Sequence, residues 1–308
     1  MRRVHITICI CTFRRPDLLR RLLGSIQQQQ TDGRFTYSIV IVDNDSRGTA
    51  RDVVRRFSAS SPVPIAYVIE AEQNIAVARN TSIARSQGDY LAFIDDDEEA
   101  EKDWLLNLFR TCESRAAAGV LGPVIPRFER PPAHWVIKGK FFERPNHRTG
   151  FKIGTGEART GNLLIRKEIL AGNAHPFRAR FGSGSEDVDF LGRMMDQGME
   201  FVWCREAVVY EAVPPERANT RYLLRRALVR GGNSIRHEAY RTRLVINSAV
   251  ALPLYAGMLP FLFVAGRHHF LKYMIKICDH SGRLLALPGY RPSGKRATGG
   301  RRQRPALA

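Results

Sequence analysis

Short apolar segments of strand length alternate with helical patterns through the first hundred residues, and this alternation constrains the fold more than any other feature. The segments at 4–11, 37–42, 65–69 and 90–94 are almost entirely apolar, and a helical pattern opening at Pro16 follows the first of them. The first run is too short for a signal peptide, so we expect it to be a strand. Nearly all-apolar strands separated by helices predict an α/β fold whose mostly parallel sheet is covered on both faces.

Polar clusters follow three of these strands at the point where each strand ends. In order along the chain they are Thr12, Phe13 and Arg14, then Asp43, Asn44 and Asp45, then Asp95, Asp96 and Asp97. Ligands of open α/β sheets bind in the crevice at the carboxyl ends of the strands. We therefore expect the three clusters to meet at one edge of the sheet and to form a binding site.

The third cluster concentrates negative charge in a chain whose formal net charge is +18. In an extended chain Asp95 and Asp97 point to the same side, with Asp96 opposite. Carboxylates this close repel one another unless water or a cation neutralises them. The stretch is therefore either a solvated strand end or a site for a hard divalent cation such as Mg²⁺ or Mn²⁺.

The second half of the chain is less regular. Residues 121–127 predict one further strand, and residues 127–160, rich in Pro, Gly, Arg and aromatic residues, predict a loop over the site. The stretch "GSGSEDVDFLGR" predicts a glycine-rich loop that leads into a helix, with Glu186 and Asp187 in its first turn. A long helical pattern follows Pro214 and Pro215 and extends to Arg243.

Positive charge is concentrated in the last third of the chain. Residues 212–308 carry 18 Lys or Arg and three acidic residues, which is +15 of the net charge of +18. This distribution predicts a nearly neutral body with a basic appendage that seeks an anionic surface, either anionic lipid or nucleic acid. The five cysteines have no CxxC spacing and favour a reducing compartment.

The basic appendage contains an apolar segment, residues 244–265, with 22 residues and no formal charge. That length suffices to cross a bilayer core of ~30 Å, but Pro253 and Pro260 predict a broken or re-entrant segment. Residues 267–285 form a basic amphipathic pattern suited to lipid headgroups. Interfacial docking, a single span and a helical hairpin packed on the domain all stay open. We divide the chain into a folded domain (1–240), a membrane-associating segment (241–282) and a basic disordered tail (283–308).

Five segments in order, "ICTFRRPDLL", "IVIVDNDS", "NIAVARN", "GDYLAFIDDDEE" and "SGSEDVDFLGR", resemble family 2 glycosyltransferases, which have the GT-A fold. The resemblance covers roughly residues 4 to 230 and is closest to bacterial enzymes of exopolysaccharide and other surface-glycan synthesis. It implies an inverting transfer of one sugar from a nucleoside diphosphate sugar, UDP-linked by expectation, to an acceptor hydroxyl. We expect that acceptor to be a lipid-linked glycan, because it would account for the basic, apolar tail. The QxxRW motif of processive synthases is absent, as "RYLLRRALVRGG" shows.

The resemblance also assigns roles to residues. Residues 1–100 become the nucleotide-binding half of the domain and 101–240 the acceptor half. Donor-nucleotide contacts fall to Cys11, Thr12, Phe13, Arg14, Asp43, Asn44, Asp45, Asn74, Arg79 and Asp96. The ligands of Mn²⁺ or Mg²⁺ are Asp95 and Asp97, the catalytic pair is Glu186 with Asp187 as base, and the acceptor and sugar pocket includes Gly161 and Asn162.

Each of these roles competes with a purely structural explanation. Residues 43–46 are turn formers, Arg79 suits a helix surface, and acids at 186–187 suit a helix N-terminus. Many relatives place a histidine ligand where this chain has "AVVYEAVPPER", and Glu211 either replaces it or is unused. Arg225, Arg226 and Arg230 either contact a diphosphate or form a basic helix face.

The resemblance and the basic tail together predict an enzyme at the cytoplasmic face of the inner membrane. The tail itself is expected to contact the membrane surface, with no nucleic-acid partner. One alternative is a non-enzymatic basic protein that binds lipid or nucleic acid, although no nucleic-acid-binding signature is present. A second is a sugar nucleotidyltransferase, which needs a glycine-rich phosphate loop after the first strand, and "CTFRRPDLL" contains no glycine.

Overall fold

The computed structural model describes residues 3–236 and 238–287. Ten strands are present in this part of the chain: β1 Val4–Thr12, β2 Phe35–Asp43, β3 Ile65–Ile69, β4 Tyr90–Phe93, β5 Glu98–Ala100, β6 Gly119–Leu121, β7 Val124–Phe128, β8 Leu163–Arg166, β9 Phe201–Trp203 and β10 Val209–Val213. The helices are α1 Pro16–Ile26, α2 Arg51–Ser60, α3 Ile75–Ala84, α4 Trp104–Ser114, α5 His134–Gly139, α6 Glu186–Asp196, α7 Thr220–Ser234, α8 Glu238–Ala265 and α9 Arg267–Leu285.

Seven strands form the central sheet, in the order β3-β2-β1-β4-β8-β6-β9. Strands β1 to β4 are parallel to one another and β6 is parallel to β9, while β8 runs antiparallel to both of its neighbours, β4 and β6. A second, three-stranded sheet has the order β5-β10-β7. The predicted α/β fold with a mostly parallel sheet is therefore confirmed.

Helices cover both faces of the central sheet, as the apolar strands require. On α1 the side chains of Leu19, Leu22, Leu23 and Ile26 are fully buried, and their spacing places them on one face of the helix. Together with α2 and α4 they pack on one face of the sheet, while α6 packs on the opposite face around Phe190. Both layers leave the carboxyl ends of β1, β2 and β4 at one edge.

The single strand predicted at 121–127 is wrong. The chain forms β6 in the central sheet and β7 in the small sheet, separated by Gly122 and Pro123. Proline has no N–H to continue a ladder. A Cβ atom on Gly122 would lie 2.2 Å from the carbonyl oxygen of Ala207, so only glycine fits this crossing between the two sheets.

The predicted break in the apolar segment is also wrong, because α8 is one helix through both Pro253 and Pro260. Both prolines are exposed, so their rings do not disturb the packing of α8 on α9. In the described residues, the stretch Arg241–Ala265 of α8 is long and apolar enough to cross a membrane, with a mean hydropathy of 1.8 and only 6% of it buried. Most of its apolar surface therefore faces outward.

Helix α9 instead docks tightly on the domain. A Cβ atom on Gly231 of α7 would lie 2.0 Å from the carbonyl oxygen of Asp279, and one on Gly282 of α9 would lie 2.1 Å from that of Leu228. Two glycines thus let the backbones of α7 and α9 meet. Of the predicted tail 283–308, the part at 288–308 lies outside the described residues, and the division into domains stays a prediction.

Candidate functional site

The polar clusters after β1 and β4 meet at the edge of the sheet, as the topology predicts. The hydroxyl of Thr12 donates to Oδ2 of Asp96 at 2.8 Å. The backbone N–H of Asn44, after β2, donates to the carbonyl of Thr12 at 2.8 Å. Cys11 lies beside them, and burial raises the pKa of its thiol to about 12, so it stays neutral. The three strand ends therefore form one continuous polar wall.

The side chains after β2 hold this wall together from within. The fully buried carboxylate of Asp43 accepts hydrogen bonds from the N–H of Ala50 at 2.7 Å, the N–H of Asp45 at 3.1 Å and the hydroxyl of Tyr67 at 2.9 Å. Turn chemistry accounts for these contacts of Asp43. Its side chain points into the protein, so a direct contact with a nucleotide would require this turn to rearrange.

Asn44 and Asn74 connect the wall to the next helix. The amide of Asn44 donates to the carbonyls of Glu70 and Glu72 and accepts from the N–H of Asn74 at 3.0 Å. Asn74 in turn caps α3, accepting from the N–H groups of Ala76 and Val77. Both amides are therefore occupied in supporting the loops, and they position the site without facing into it.

Phe13, Arg14 and Asp45 form a more open part of the wall. Arg14 has a φ of 54° and donates through Nε to Oδ2 of Asp45 at 2.8 Å. This hydrogen bond lowers the pKa of Asp45. The guanidinium carbon lies 4.8 Å from the centre of the Phe13 ring. Because the Arg14 side chain is 46% exposed, it stays accessible to a phosphate or a base.

Arginines neutralise most of the acidic cluster. Nη1 of Arg15 lies 2.9 Å from Oδ1 of Asp96 and 3.1 Å from Oδ2 of Asp97, and Nη2 of Arg217 lies 2.9 Å from the same oxygen of Asp97. Asp95 differs, because its side chain is 48% exposed. Of the three aspartates, Asp95 is thus the one that opens to the crevice.

The pKa values of these acids follow their partners. Burial raises the pKa of Asp96 to about 6, against the opposing charge of Arg15. Burial also acts on Asp97, but the charges of Arg15 and Arg217 outweigh it and hold the pKa of Asp97 below its ordinary value. Burial and the neighbouring charge of Asp95 raise the pKa of Glu98 well above the ordinary value. The charged forms of Asp96 and Glu98 are therefore destabilised by burial, whereas that of Asp97 is stabilised by its two arginines.

Arg79 joins the acidic cluster to the second acidic motif. Its Nη2 lies 3.2 Å from Oδ1 of Asp95, and its Nη1 pairs with Oε1 of Glu186. Both Arg79 and Glu186 are buried. The guanidinium also lies over the ring of Phe177. Arg79 is therefore not a helix-surface arginine, and it brings the predicted metal-binding acids and the predicted catalytic pair into one site.

The predicted catalytic pair, Glu186 and Asp187, begins α6, as the glycine-rich loop predicts. Ser185, before the helix, has a φ of 74°, and the side chain of Asn233 on α7 donates to the carbonyl of Ser183 in the same loop at 3.3 Å. Burial raises the pKa of Asp187, with the charge of Asp95 adding to the rise and that of Arg79 opposing it. A carboxylate with a raised pKa has the basicity that a general base requires.

Gly161 and Asn162 have different surroundings, although the resemblance groups them. A Cβ atom on Gly161 would lie 2.8 Å from Oε1 of Glu98 and 3.0 Å from Oδ2 of Asp95, so Gly161 lies directly against the acids. Asn162 is fully buried. Placing it in the acceptor pocket is a misassignment, since its side chain points into the core.

Asn162 instead links three segments of the core. Its Oδ1 accepts from the indole N–H of Trp104 at 2.7 Å, and its Nδ2 donates to the carbonyls of Pro123 and Ala207 at 2.9 and 2.7 Å. Its φ of 65° lies in the left-handed region, which Asn tolerates better than most residues. The residue therefore stabilises the junction between the two sheets.

Replacing Asn162 by Ala should lower the free energy of unfolding by about 3 kcal/mol. The substitution leaves one buried donor and two buried carbonyls without this partner, at ~1–3 kcal/mol for each group left unsatisfied. Urea denaturation measures the loss, and Asn173→Ala is the matched control because Asn173 is exposed and its one described side-chain hydrogen bond, from the N–H of His175, is also exposed. Equal stability of the two variants would contradict the structural role of Asn162.

Three arginines of the site, Arg144, Arg159 and Arg217, escape prediction from the sequence, whereas Glu211 is already a candidate there. Glu211 pairs with Arg144 and, at 3.4 Å, with Arg217, which also binds Asp97. Arg217 thus pairs with both Glu211 and Asp97 and connects the two acids. Arg159 is largely buried over Trp203, and burial together with the charge of Arg144 lowers its pKa to about 10. The only signal in the sequence is the position of Glu211 in the expected late strand.

The acids fit a metal ion that binds together with a phosphorylated ligand. In the part of the chain that the structure describes, no group of three or more His, Cys, Asp or Glu side chains surrounds a common cation position. Mg²⁺ needs only one or two carboxylates when phosphates and water complete the shell. Asp95 has an exposed carboxylate, and Asp97 uses one oxygen, Oδ2, for both of its arginines. These two acids are the candidate ligands.

A mostly parallel sheet edge with an acidic strand end, linked by Arg79 to a carboxylate pair on a helix N-terminus, is the arrangement that the resemblance to GT-A glycosyltransferases implies. The chain belongs to glycosyl transferase family 2, since residues 7–171 match the profile "Glycosyl transferase family 2" and residues 90–278 match "Glycosyl transferase family group 2". The predicted family is confirmed.

Two curated relatives place the chain among sugar transferases. It is 33% identical to the succinoglycan biosynthesis protein ExoM of Rhizobium meliloti (strain 1021), over 93% of this chain and 94% of ExoM. It is 25% identical to the glycosyltransferase AglE of Haloferax volcanii, over 66% of this chain and 65% of AglE. The ExoM match includes most of the basic C-terminal region as well as the α/β domain.

Solved structures support the GT-A fold. The mannosyltransferase PcManGT from Pyrobaculum calidifontis, in complex with GDP-Man and Mn²⁺, matches with a TM-score of 0.61 and 20% identity over 93% of this chain and 86% of PcManGT. S. aureus TarS 1-349, in complex with UDP-GlcNAc, matches with a TM-score of 0.51 and 13% identity over 73% of this chain and 66% of that chain. At these identities the likeness concerns the fold.

Proposed function

We propose that this protein transfers one sugar from a nucleoside diphosphate sugar to an acceptor hydroxyl, with inversion, during synthesis of a bacterial surface polysaccharide. The observation that carries the proposal is the bridge of Arg79 between Asp95 and Glu186. It sets the candidate diphosphate end of the site beside the candidate base. Membership of family 2 supports this reading over a non-enzymatic binding protein and over a sugar nucleotidyltransferase.

In the proposed reaction Asp187 acts on the acceptor. Its carboxylate takes the proton of the acceptor hydroxyl as that oxygen forms a bond to the anomeric carbon. The bond from the anomeric carbon to the diphosphate oxygen breaks at the same time, and the nucleoside diphosphate leaves. Attack from the face opposite the leaving group inverts the anomeric configuration. Glu186, paired with Arg79, holds the start of α6 in place.

The donor is proposed to lie along the strand ends. Phe13 and Arg14 offer a ring and an accessible guanidinium to the nucleoside, and Thr12 and Asp96 form the wall beneath them. Asp43, Asn44 and Asn74 support this wall from behind. Asp95 and Asp97 would hold Mn²⁺ or Mg²⁺, which supplies positive charge to the diphosphate of the leaving group. We propose a UDP-sugar as the donor, in line with the UDP-GlcNAc complex of TarS. The GDP-Man complex of PcManGT makes a GDP-sugar the competing donor.

The acceptor is proposed to be a lipid-linked glycan at the cytoplasmic face of the inner membrane. The similarity to ExoM, named for succinoglycan biosynthesis, supports an exopolysaccharide product. The exposed apolar surface of α8 supports attachment to a membrane, since Phe261 is 78% and Val264 is 88% exposed. A membrane-attached enzyme meets an acceptor that is itself anchored in lipid.

The proposal predicts that a UDP-sugar raises the melting temperature only when Mn²⁺ or Mg²⁺ is present. Ligand at about 100 times its Kd stabilises the folded state by ~2.7 kcal/mol. Asp95→Asn should abolish this stabilisation, because it removes the exposed carboxylate, whereas Asp103→Asn should not, because Asp103 is exposed and makes no capping hydrogen bond. A thermal-shift panel of UDP- and GDP-sugars measures both.

The outcomes of this panel separate the possible functions. Stabilisation by GDP-sugars alone would overturn UDP as the proposed nucleotide of the donor and leave the proposed transfer reaction intact. No stabilisation by any nucleotide sugar, with or without metal, would overturn the proposed function itself. In a separate assay, release of pyrophosphate from a nucleoside triphosphate and a sugar 1-phosphate would instead identify a nucleotidyltransferase.

A further inference from the structure

A cavity of about 340 Å³ lies among α5, α7 and α9. Five cationic side chains and one acid, Asp279, belong to its lining, and the cations are Lys140, Arg226, Arg230, Lys272 and Lys276. Apolar side chains such as Leu223 and Ile275 form the rest. Arg226 and Arg230 therefore lie against α9. The sequence had left two alternatives for them, contact with a diphosphate or a basic helix face.

The charge of this cavity is not balanced by the protein. Asp279 is occupied by Arg230, whose Nε donates to it at 2.9 Å. Lys140 pairs with Glu143 at 3.2 Å, and Lys276 lies over the rings of Tyr255 and Tyr273. Among the described residues, neither Arg226 nor Lys272 has an ion-pair partner. The cavity thus presents two cations that lack an anion.

The surface around the cavity is also cationic. Burial and the neighbouring side chains of His269, Lys138 and Lys272 lower the pKa of His268, which lies one turn before Lys272 on α9. Arg267 at the start of α9 lies over the ring of Trp135 of α5, 5.1 Å from its centre. A concentration of like charge costs free energy unless an anion binds there. The patch therefore favours an anionic ligand.

The cavity adjoins the apolar surface of α8. Tyr255 of α8 packs edge-on against Tyr273 of α9, which lines the cavity, with ring centres 5.3 Å apart. Lys276 contacts both rings. An exposed apolar helix and an unneutralised cationic cavity thus share a border. This combination matches a membrane, whose apolar layer lies directly beneath a layer of phosphate groups.

We infer that this cavity binds the phosphate of an anionic membrane phospholipid, with Arg226 and Lys272 as its contacts, while α8 enters the apolar layer of the same membrane. A guanidinium binds a phosphate through two parallel hydrogen bonds, and an ammonium adds a point charge. The inference shares only the membrane location with the proposed function. The cavity stands on α5, α7 and α9, apart from Asp187 and the acidic cluster.

Vesicle flotation of the full chain tests the inference. Wild-type protein should bind vesicles of phosphatidylcholine with 30% phosphatidylglycerol more tightly than vesicles of phosphatidylcholine alone. The double variant Arg226→Gln/Lys272→Gln should lose about 30-fold in affinity for the anionic vesicles, from ~1 kcal/mol for each charge near an anionic surface. Its binding to neutral vesicles should be unchanged.

The matched control is Arg55→Gln/Arg56→Gln, which removes the same net charge from exposed positions on α2. It should lose less than about 5-fold, because these charges are remote from the cavity and screened by salt. Equal losses in the two double variants would show general electrostatic attraction and would overturn the site. Unchanged binding by Arg226→Gln/Lys272→Gln would also overturn it.

Calorimetric titration distinguishes a lipid headgroup from free phosphate. Soluble dihexanoyl phosphatidylglycerol should bind wild-type protein, and binding should be lost in Arg226→Gln/Lys272→Gln. Inorganic phosphate that binds equally tightly would overturn assignment to a lipid. Both double variants should keep the melting temperature of the wild type and its response to nucleotide sugar, so a failure of the proposed function is seen separately in the thermal-shift panel.

Discussion

Replacing Asp187 by Asn is expected to lower kcat for sugar transfer by ~10²–10⁴-fold, the usual contribution of a positioned general base. Asn has the shape of Asp but does not accept the proton of the acceptor hydroxyl. Because Asp187 contributes no described contact to the donor wall, stabilisation by nucleotide sugar and metal should persist. The measurement is initial-rate release of nucleoside diphosphate in the presence of acceptor.

The matched control for Asp187→Asn is Asp196→Asn, which removes the same charge from the exposed end of the same helix. This variant should transfer sugar at the wild-type rate. If Asp187→Asn were equally active, Asp187 would not be the base. If Asp187→Asn instead lost donor binding along with activity, Asp187 would act in binding the donor rather than in the proton transfer.

The pH dependence of the wild type provides an independent check on the base. Burial raises the pKa of Asp187 above the ordinary value for an aspartate. The base must be deprotonated, so kcat/KM should fall with decreasing pH, and the fall should begin at a higher pH than for an exposed aspartate. The residual activity of Asp187→Asn should lack this fall. An acid limb that is the same in both proteins would assign it to another group.

The sequence was sufficient to predict the strand ends because each depends on local pattern. The strand Ile65–Ile69 forms with the predicted bounds, and the helix predicted to open at Pro16 begins at that residue. A parallel sheet then places the residues that follow its strands at one edge, so the meeting of Thr12, Asn44 and Asp96 follows from topology alone. Apolar periodicity and the rules of sheet topology carried this part of the prediction.

Partners that are distant in sequence could not be predicted. Nothing near Asp97 in the chain indicates that Arg217 binds it, because the pair depends on where the segment before α7 returns to the sheet. Asn162 was misassigned for the same reason, since its buried contacts come from the segments of Trp104, Pro123 and Ala207. Polar residues next to a motif signal function and structure equally well until their partners are known.

Arg79 is the residue on which both stability and activity should depend most. Replacing it by Met keeps the apolar length of the side chain but leaves Glu186, which is 4% exposed, as a buried charge without its partner. Removing one member of a buried ion pair costs ~3–5 kcal/mol. Arg79→Met should therefore lower the free energy of unfolding by about this amount in urea denaturation, while Arg85→Met, at an exposed position after α3, should not.

The double variant Arg79→Met/Glu186→Gln separates the structural cost from the functional one. Removing both charges avoids the uncompensated carboxylate, so most of the lost stability should return, and the coupling free energy of the pair follows from the cycle of variants. Donor-induced stabilisation should not return, because Asp95 still lacks its ion pair with the Arg79 guanidinium, whose Nη2 lies 3.2 Å from Oδ1 of Asp95 in the wild type. If the double variant regained both stability and donor binding, Arg79 would only neutralise Glu186, and the bridge between the two acidic motifs would have no part in binding the donor.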